Sequence, residues 1–229
     1  MAGHLNGGNL GRELGEILTE QPESRWPASL ALLVCGLVYL VLPEALVVGP
    51  RWLVPALIVL PLVPLTFGSR HRHAAEPRWA RTTTFTLMAV LSVANVSTVA
   101  VLVHRMLAGH VHDGRSLIYA AILVWLTNAV VFSLWFFELD GGGPAARSAA
   151  DLRSRDFSFP QMQDPQLAPE GWMPVYFDYL YLSLTNASAF SPTDAMPITV
   201  RVKALMAVES LTSIITVVVV ASRAINILN

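Results

Sequence analysis

The chain has 229 residues, 54% of them hydrophobic and 14% charged, and its 15 Lys and Arg against 16 Asp and Glu leave a formal net charge of −1. So few charges cannot coat a soluble globule of this size, and no basic stripe or arginine-rich helix offers a face to nucleic acid. The single cysteine, Cys35, excludes an internal disulfide and leaves no thiolate cluster for zinc.

Residues 1–25 set Glu13, Glu16, Glu20 and Glu23 against Arg12 and Arg25, so they lack the basic front of a secretory signal. After the polar, glycine-rich stretch Met1 to Asn9, residues Leu10, Leu14, Ile17 and Leu18 recur at helical spacing. That spacing predicts a short amphipathic helix on the membrane surface or against the bundle. Charge-free runs follow from Trp26 to Pro43, Trp52 to Ser69, Thr82 to Val103 and Ser116 to Phe137. Each has about the 20 residues that cross a hydrocarbon core of roughly 30 Å. A fifth run, Ala204 to Ser222, is interrupted only by Glu209. Lipid offers no partners to backbone polar groups, and the alternating strands of a membrane barrel are absent, so the fold class is all-α: a polytopic bundle of five transmembrane helices. Residues 26–138 then hold four spans. The first two form a hairpin closed by Pro43 and Pro50, with Pro55, Pro61 and Pro64 predicting a kink in the second. A basic loop from Arg70 to Arg81 precedes the third, and His104 to Arg115 join it to the fourth.

Residues 139–171 change character, with Gly141-Gly142-Gly143-Pro144, then alternating charges, then three further prolines, which reads as an extramembrane loop. Residues 172–229 place a short apolar helix, a compact loop and a full span in immediate succession. Where potassium channels write Thr-Ala-Thr-Thr-Val-Gly-Tyr-Gly-Asp, this chain writes Asn186-Ala187-Ser188-Ala189-Phe190-Ser191-Pro192-Thr193-Asp194. In layout the block resembles the pore module of tetrameric potassium channels, and Ser183, Ala187, Asp194, Pro197 and Thr199 fall where that family often has the same residues. The resemblance implies a re-entrant pore helix and loop before the last span, a homo-tetramer, and passive permeation of monovalent or divalent cations. Both filter glycines are missing. Pro192 fixes φ near −65° and has no N–H, so a potassium-type cage of carbonyls is not encoded. Ser188, Ser191, Thr193 and Asp194 would instead offer hydroxyls and, in four copies, an acidic ring; the plainer reading of Ser-Pro-Thr-Asp is a turn.

The last span carries Glu209, Thr212, Ser213 and Thr216 near one face, a polar stripe that would line a pore. Glu209 stands roughly 18 Å past Pro197 at 1.5 Å per residue, and an ionisable residue at that depth faces a bundle interior or water. Its structural alternative is an interhelical hydrogen bond to Asn95 or Asn128, which with Ser92 and Thr127 read as packing glue. No span has arginine at every third position, so voltage sensing of the usual type is not encoded. His71 and His73, and His110 and His112, lack a third ligand at fixed spacing and read as solvated loop. No nucleophile elbow, phosphate loop or HExxH pattern suggests an enzyme, and no cofactor is implied.

Over its whole length the chain is similar to an uncharacterised family of bacterial inner-membrane proteins with two spans, a basic loop, two more spans and a terminal block, here Asp178-Tyr179-Leu180-Tyr181-Leu182-Ser183-Leu184-Thr185. That likeness implies a multi-pass protein of the inner membrane, in contact with lipid, and says nothing of a substrate. Charge sets the orientation. With the leader, the basic loop, residues 139–171 and the mouth of the final block on one side, 11 of the 15 Lys and Arg lie there, against Arg51, Arg105, Arg115 and Arg223. That side is cytoplasmic by the positive-inside rule. Potassium channels point the filter outward, so either the module is inverted, or the charge rule misleads, or the loop is no channel mouth. Three functions stay open: a pore-loop cation channel, a nonconducting membrane protein whose re-entrant segment fills the bundle, and a proton-coupled small-solute transporter using Glu209.

Overall fold

The computed structural model describes residues 26–42, 47, 50–59, 78–108, 114–147, 154–164, 166, 172–189 and 195–228. The expected leader helix, Pro61 and Pro64, the basic loop up to residue 77, both histidine pairs and Phe190 to Asp194 lie outside these residues. The described chain is mostly helical.

Three helices are long and apolar enough to cross a membrane, through spans Arg81–Met106, Ile118–Gly142 and Val200–Ser222. They belong to α2 (Arg78–Leu107), α3 (Gly114–Leu139) and α7 (Val200–Leu228). The first apolar run forms α1 (Trp26–Val41), whose 16 residues reach about 24 Å at 1.5 Å each, short of a full hydrocarbon core. Of the second run only a helical stretch at 53–59 is described, with Pro55 in its first turn, where the backbone N–H groups have no intrahelical acceptor in any case.

α3 is the central element because its sequence is apolar around most of its circumference: 67% of an 18-residue apolar stretch within it is buried, against 39% and 35% of the corresponding stretches of α2 and α7. Four helices pack on it: α1, α2, α7 and the short α6 (Tyr176–Ala189). Direction follows from the contacts. α2 runs antiparallel to α3, since Phe85 meets Trp135 with ring centres 5.7 Å apart while Leu102 and Met106 cluster with Ala120 and Ala121. α7 is antiparallel as well, with Arg201 Nη2 donating to Leu139 O at 3.3 Å and Asn128 Nδ2 donating to Ser213 Oγ at 3.1 Å.

The same end of the bundle begins α6. Tyr176 lies beside Phe137, Ser183 Oγ donates to Ala129 O at 2.6 Å, and Trp125 Nε1 donates to Ala187 O at 3.4 Å. α6 therefore descends along α3 from Leu139 to the level of Trp125, about 21 Å. By Met196 the chain is back where it started, because β2 (Met196–Pro197) pairs antiparallel with β1 (Phe157–Ser158), Phe157 opposite Pro197.

That end is closed by a folded cap in the stretch that alternating charges suggest is solvated. The 3₁₀ turn Asp140–Gly142 leads through Gly143 into α4 (Pro144–Arg147), and β1 is followed by α5 (Pro160–Gln163). Gly141, Gly142 and Gly143 have φ of 59°, 87° and 98°. Only residues without a Cβ take such angles freely, and a Cβ on Gly143 would stand 3.1 Å from Glu138 O. The turn folds the cap back under the helices, so that Arg147, Asp156 and Phe157 are fully buried.

Candidate functional site

Two buried polar groupings organise the bundle. The deeper one centres on Glu209, which is wholly buried about 14 Å along α7. Hydrocarbon and packed apolar side chains offer it nothing, so its partners come from the facing helices. Asn186 Nδ2 donates to Glu209 Oε2 at 2.6 Å and to Met206 O at 3.0 Å, while Ser183 Oγ contacts Glu209 Oε1. Asn186 Oδ1 accepts from Ser210 Oγ at 3.1 Å. On the other flank Asn128 Nδ2 donates to Glu209 O at 3.3 Å and to Ser213 Oγ, and Asn128 Oδ1 accepts from Asn95 Nδ2 at 2.9 Å. One chain of hydrogen bonds thus crosses α2, α3, α7 and α6 at mid-bundle.

The second grouping lies in the cap. Asp140 Oδ1 accepts the backbone N–H groups of Asp156 and Phe157 at 2.7 and 3.1 Å, and its Oδ2 accepts Tyr179 OH at 2.6 Å. Arg147 Nη1 and Arg155 Nη1 stand 3.7 and 3.5 Å from the same Oδ2. The Arg147 guanidinium lies 4.8 Å from the ring centres of both Phe137 and Tyr179, where the aromatic faces attract a cation. Asp156 holds Arg201 through Nε at 2.7 Å and through Nη2, and also takes the Thr199 hydroxyl. Its carbonyl accepts Ile198 N–H at 2.7 Å. These charges bind the end of α3, the start of α6 and the start of α7 into one knot.

The residues singled out by sequence divide between places. Asn186 and Glu209 meet directly. Ser213 and Thr216 are buried on the same side of α7, which is turned to the interior of the bundle. Thr212, half-buried, donates to Val208 O, and Thr216 donates to Thr212 O, both at 2.8 Å, so their protons are used within their own helix. The outward face of α7 carries Val208, Leu211, Ile215 and Val218 instead. Ser188 is exposed near the end of α6 and donates to Leu184 O at 2.7 Å. Phe190, Ser191, Pro192, Thr193 and Asp194 are outside the described residues. Asn128 binds the backbone of Glu209 rather than its carboxyl, and the carboxyl's partners Ser183 and Asn186 come from α6.

Sequence reasoning missed the cap: Asp140, Arg147, Arg155, Asp156 and Tyr179. The available signal was the apolar company of its charges, Phe157 and Phe159 beside Arg155 and Asp156, which a solvated loop does not need. Among the described residues no group of three His, Cys, Asp or Glu could hold a metal ion.

The described fold is that of a mostly helical protein with three helices long and apolar enough to cross a membrane, tied together by interior polar groups. No family model, characterised protein or solved structure matches the chain.

Proposed function

We propose that this chain is a pore-loop protein of the inner membrane, with five spans, α6 as a re-entrant pore-type helix, and four copies around a shared axis that pass cations passively without a potassium-type filter. One observation carries the reading: α6 enters at the Asp140 end of the bundle, its last turn stands level with Trp125, and the chain is back at the Asp140 end by Met196. A segment that enters and leaves at one end is what a pore loop requires, and non-helical backbone at membrane depth persists only inside protein or along a water-filled cavity. α6 also directs its C-terminal carbonyls toward the bundle middle, the partially negative end of a helix, which favours a cation. Liposomes holding the purified protein under potassium, sodium and calcium gradients test the reading, with native mass spectrometry for the assembly. Tetramers with a cation flux whose ion preference changes in Asp194→Asn support it; monomers, or tight liposomes, end it.

A second reading has its own support. Glu209, Ser213 and Thr216 turn into the protomer and leave an apolar outward face on α7, as expected of a nonconducting protein in which α6 fills the bundle. Proton-coupled solute uptake would require Glu209 to gain and lose a proton, and pH-dependent uptake abolished by Glu209→Gln would select it.

A further inference from the structure

We infer that Glu209 is a proton-binding site that latches α6 to α7: its carboxyl holds a proton on Oε1 and donates it to Ser183 Oγ. Ser183 has one hydroxyl hydrogen and two short contacts, to Ala129 O at 2.6 Å and to Glu209 Oε1. A backbone carbonyl can only accept. Ser183 therefore spends its hydrogen on Ala129, and the hydrogen of the second contact has to come from the carboxyl.

Other hydroxyls that join helices obey the same count. Thr98 donates to Ala94 O and accepts from Tyr39; Ser92 donates to Met88 O and accepts from Trp135; Ser133 donates to Val130 O and accepts from Tyr176. In the cap, Tyr179 donates to Asp140 and accepts from Arg147. Where one hydroxyl hydrogen is shared between two acceptors at least one contact is 3.0 Å or longer: 2.9 and 3.0 Å for Thr185, 3.1 and 3.4 Å for Ser210, and 2.7 and 3.4 Å for Ser188. Ser183 matches the first pattern only if Glu209 supplies a proton.

The surroundings favour an uncharged carboxyl. Among the described residues no Lys, Arg or His pairs with Glu209; its side-chain contacts are Ser183 and Asn186. Among the described side chains, the charged groups on the elements packed around it stand toward their ends: Arg81, His104 and Arg105 on α2, Glu138 on α3, Asp178 on α6, Arg201 and Lys203 on α7, and none on α1. When hydroxide or a buffer base takes the proton, the O–H bond breaks, water or the protonated base leaves, and a carboxylate remains. Ser183 then faces two acceptors with one hydrogen, and the contact to α7 becomes a repulsion. The deep end of α6 loses its Ser183 tie to α7 and keeps only those of Asn186, while the cap still holds its start.

This inference is independent of conduction. Infrared difference spectra of the detergent-solubilised full chain and of Glu209→Gln provide the first test: at neutral pH the wild type shows a protonated-carboxyl C=O band, shifted in D₂O and missing from the variant. Should the Gln variant fail to fold, the carboxyl ¹³C shift of labelled glutamate in the wild type reads the same proton. Spin labels at Ser188→Cys and Leu211→Cys, both exposed, provide the second, with labelled chain diluted into unlabelled. The α6 to α7 distance distribution broadens over the pH range in which the acid band disappears, and stays narrow in Glu209→Gln. An ionised carboxyl at neutral pH overturns the inference, and so does a distance distribution that ignores the loss of the band.

Discussion

Asn128 uses its whole side chain: two N–H donors go to Glu209 O and Ser213 Oγ, and its oxygen takes Asn95. In a membrane the helices gain little from excluding water from one another, so such bonds share the work of association with packing. Each is worth only about 0.6 kcal/mol on average, so Asn128→Ala is expected to cost about 2 kcal/mol for three of them. Asn95→Ala removes one of the same three, and the double variant should therefore fall short of the sum of the singles. Asp140 is a different case, since its buried carboxylate faces two buried guanidinium groups, two backbone N–H groups and a phenol. Breaking a buried ion pair from one side typically costs about 3–5 kcal/mol, because the charges left behind lose their counter-ion. Asp140→Asn should thus lower the melting temperature in detergent clearly more than Asn128→Ala; an equal or smaller loss would mean that the knot in the cap is not what holds the end of the bundle.

The three-glycine turn allows the cap to fold under the helices, and two glycines separate conformational need from mere space. At Gly143 φ is 98° and an added Cβ would lie 3.1 Å from a backbone oxygen, so Gly143→Ala should cost on the order of 1–3 kcal/mol and loosen the cap, read as faster proteolysis between α3 and α6. Gly36 lies inside α1, where a Cβ would meet Ile58 Cδ1 at an ordinary 3.4 Å. Gly36→Ala should leave the melting temperature nearly unchanged, because alanine is the better helix former by up to about 1 kcal/mol. The contrast also marks what could be read in advance. Apolar runs report directly on lipid compatibility, so Thr82 to Val103, Ser116 to Phe137 and Ala204 to Ser222 foretell the spans Arg81–Met106, Ile118–Gly142 and Val200–Ser222 to within a few residues. The polar knots were not legible in the same way. Their pairs join residues far apart in the chain, Asp140 with Tyr179 and Asp156 with Arg201, and no local period encodes such partners. Glu209 is legible as a buried ionisable residue, but helical spacing points to partners on neighbouring spans, Asn95 or Asn128, while Ser183 and Asn186 lie where the channel resemblance implies a pore helix facing an axis.

At the scale of the whole molecule the two ends of the bundle are chemically unequal. The start of α2, the end of α3 and the starts of α6 and α7 gather at one end, bringing Arg81, Arg147, Arg155, Arg201 and Lys203 together, whereas Arg105 and Ala108 mark the other end. Helix direction, fixed here by contacts such as Phe85 with Trp135 and Arg201 with Leu139, agrees with the arginine and lysine tally in grouping these segments on one side. By the positive-inside rule the cap is expected on the cytoplasmic side, which labelling can test. Gln163 in the cap and Ala108 at the far end are both exposed, and Cys35 is buried, so single cysteines at those two sites can report sidedness. In bacterial cells expressing the chain, Ala108→Cys should react with a membrane-impermeant maleimide once the outer membrane is opened, and Gln163→Cys only after the inner membrane is breached. The opposite pattern would set the mouth of the α6 loop outward, as in potassium channels. Labelling at both sites from one side would rule out the opposed ends themselves, and with them any account in which α6 dips into the membrane from the cap.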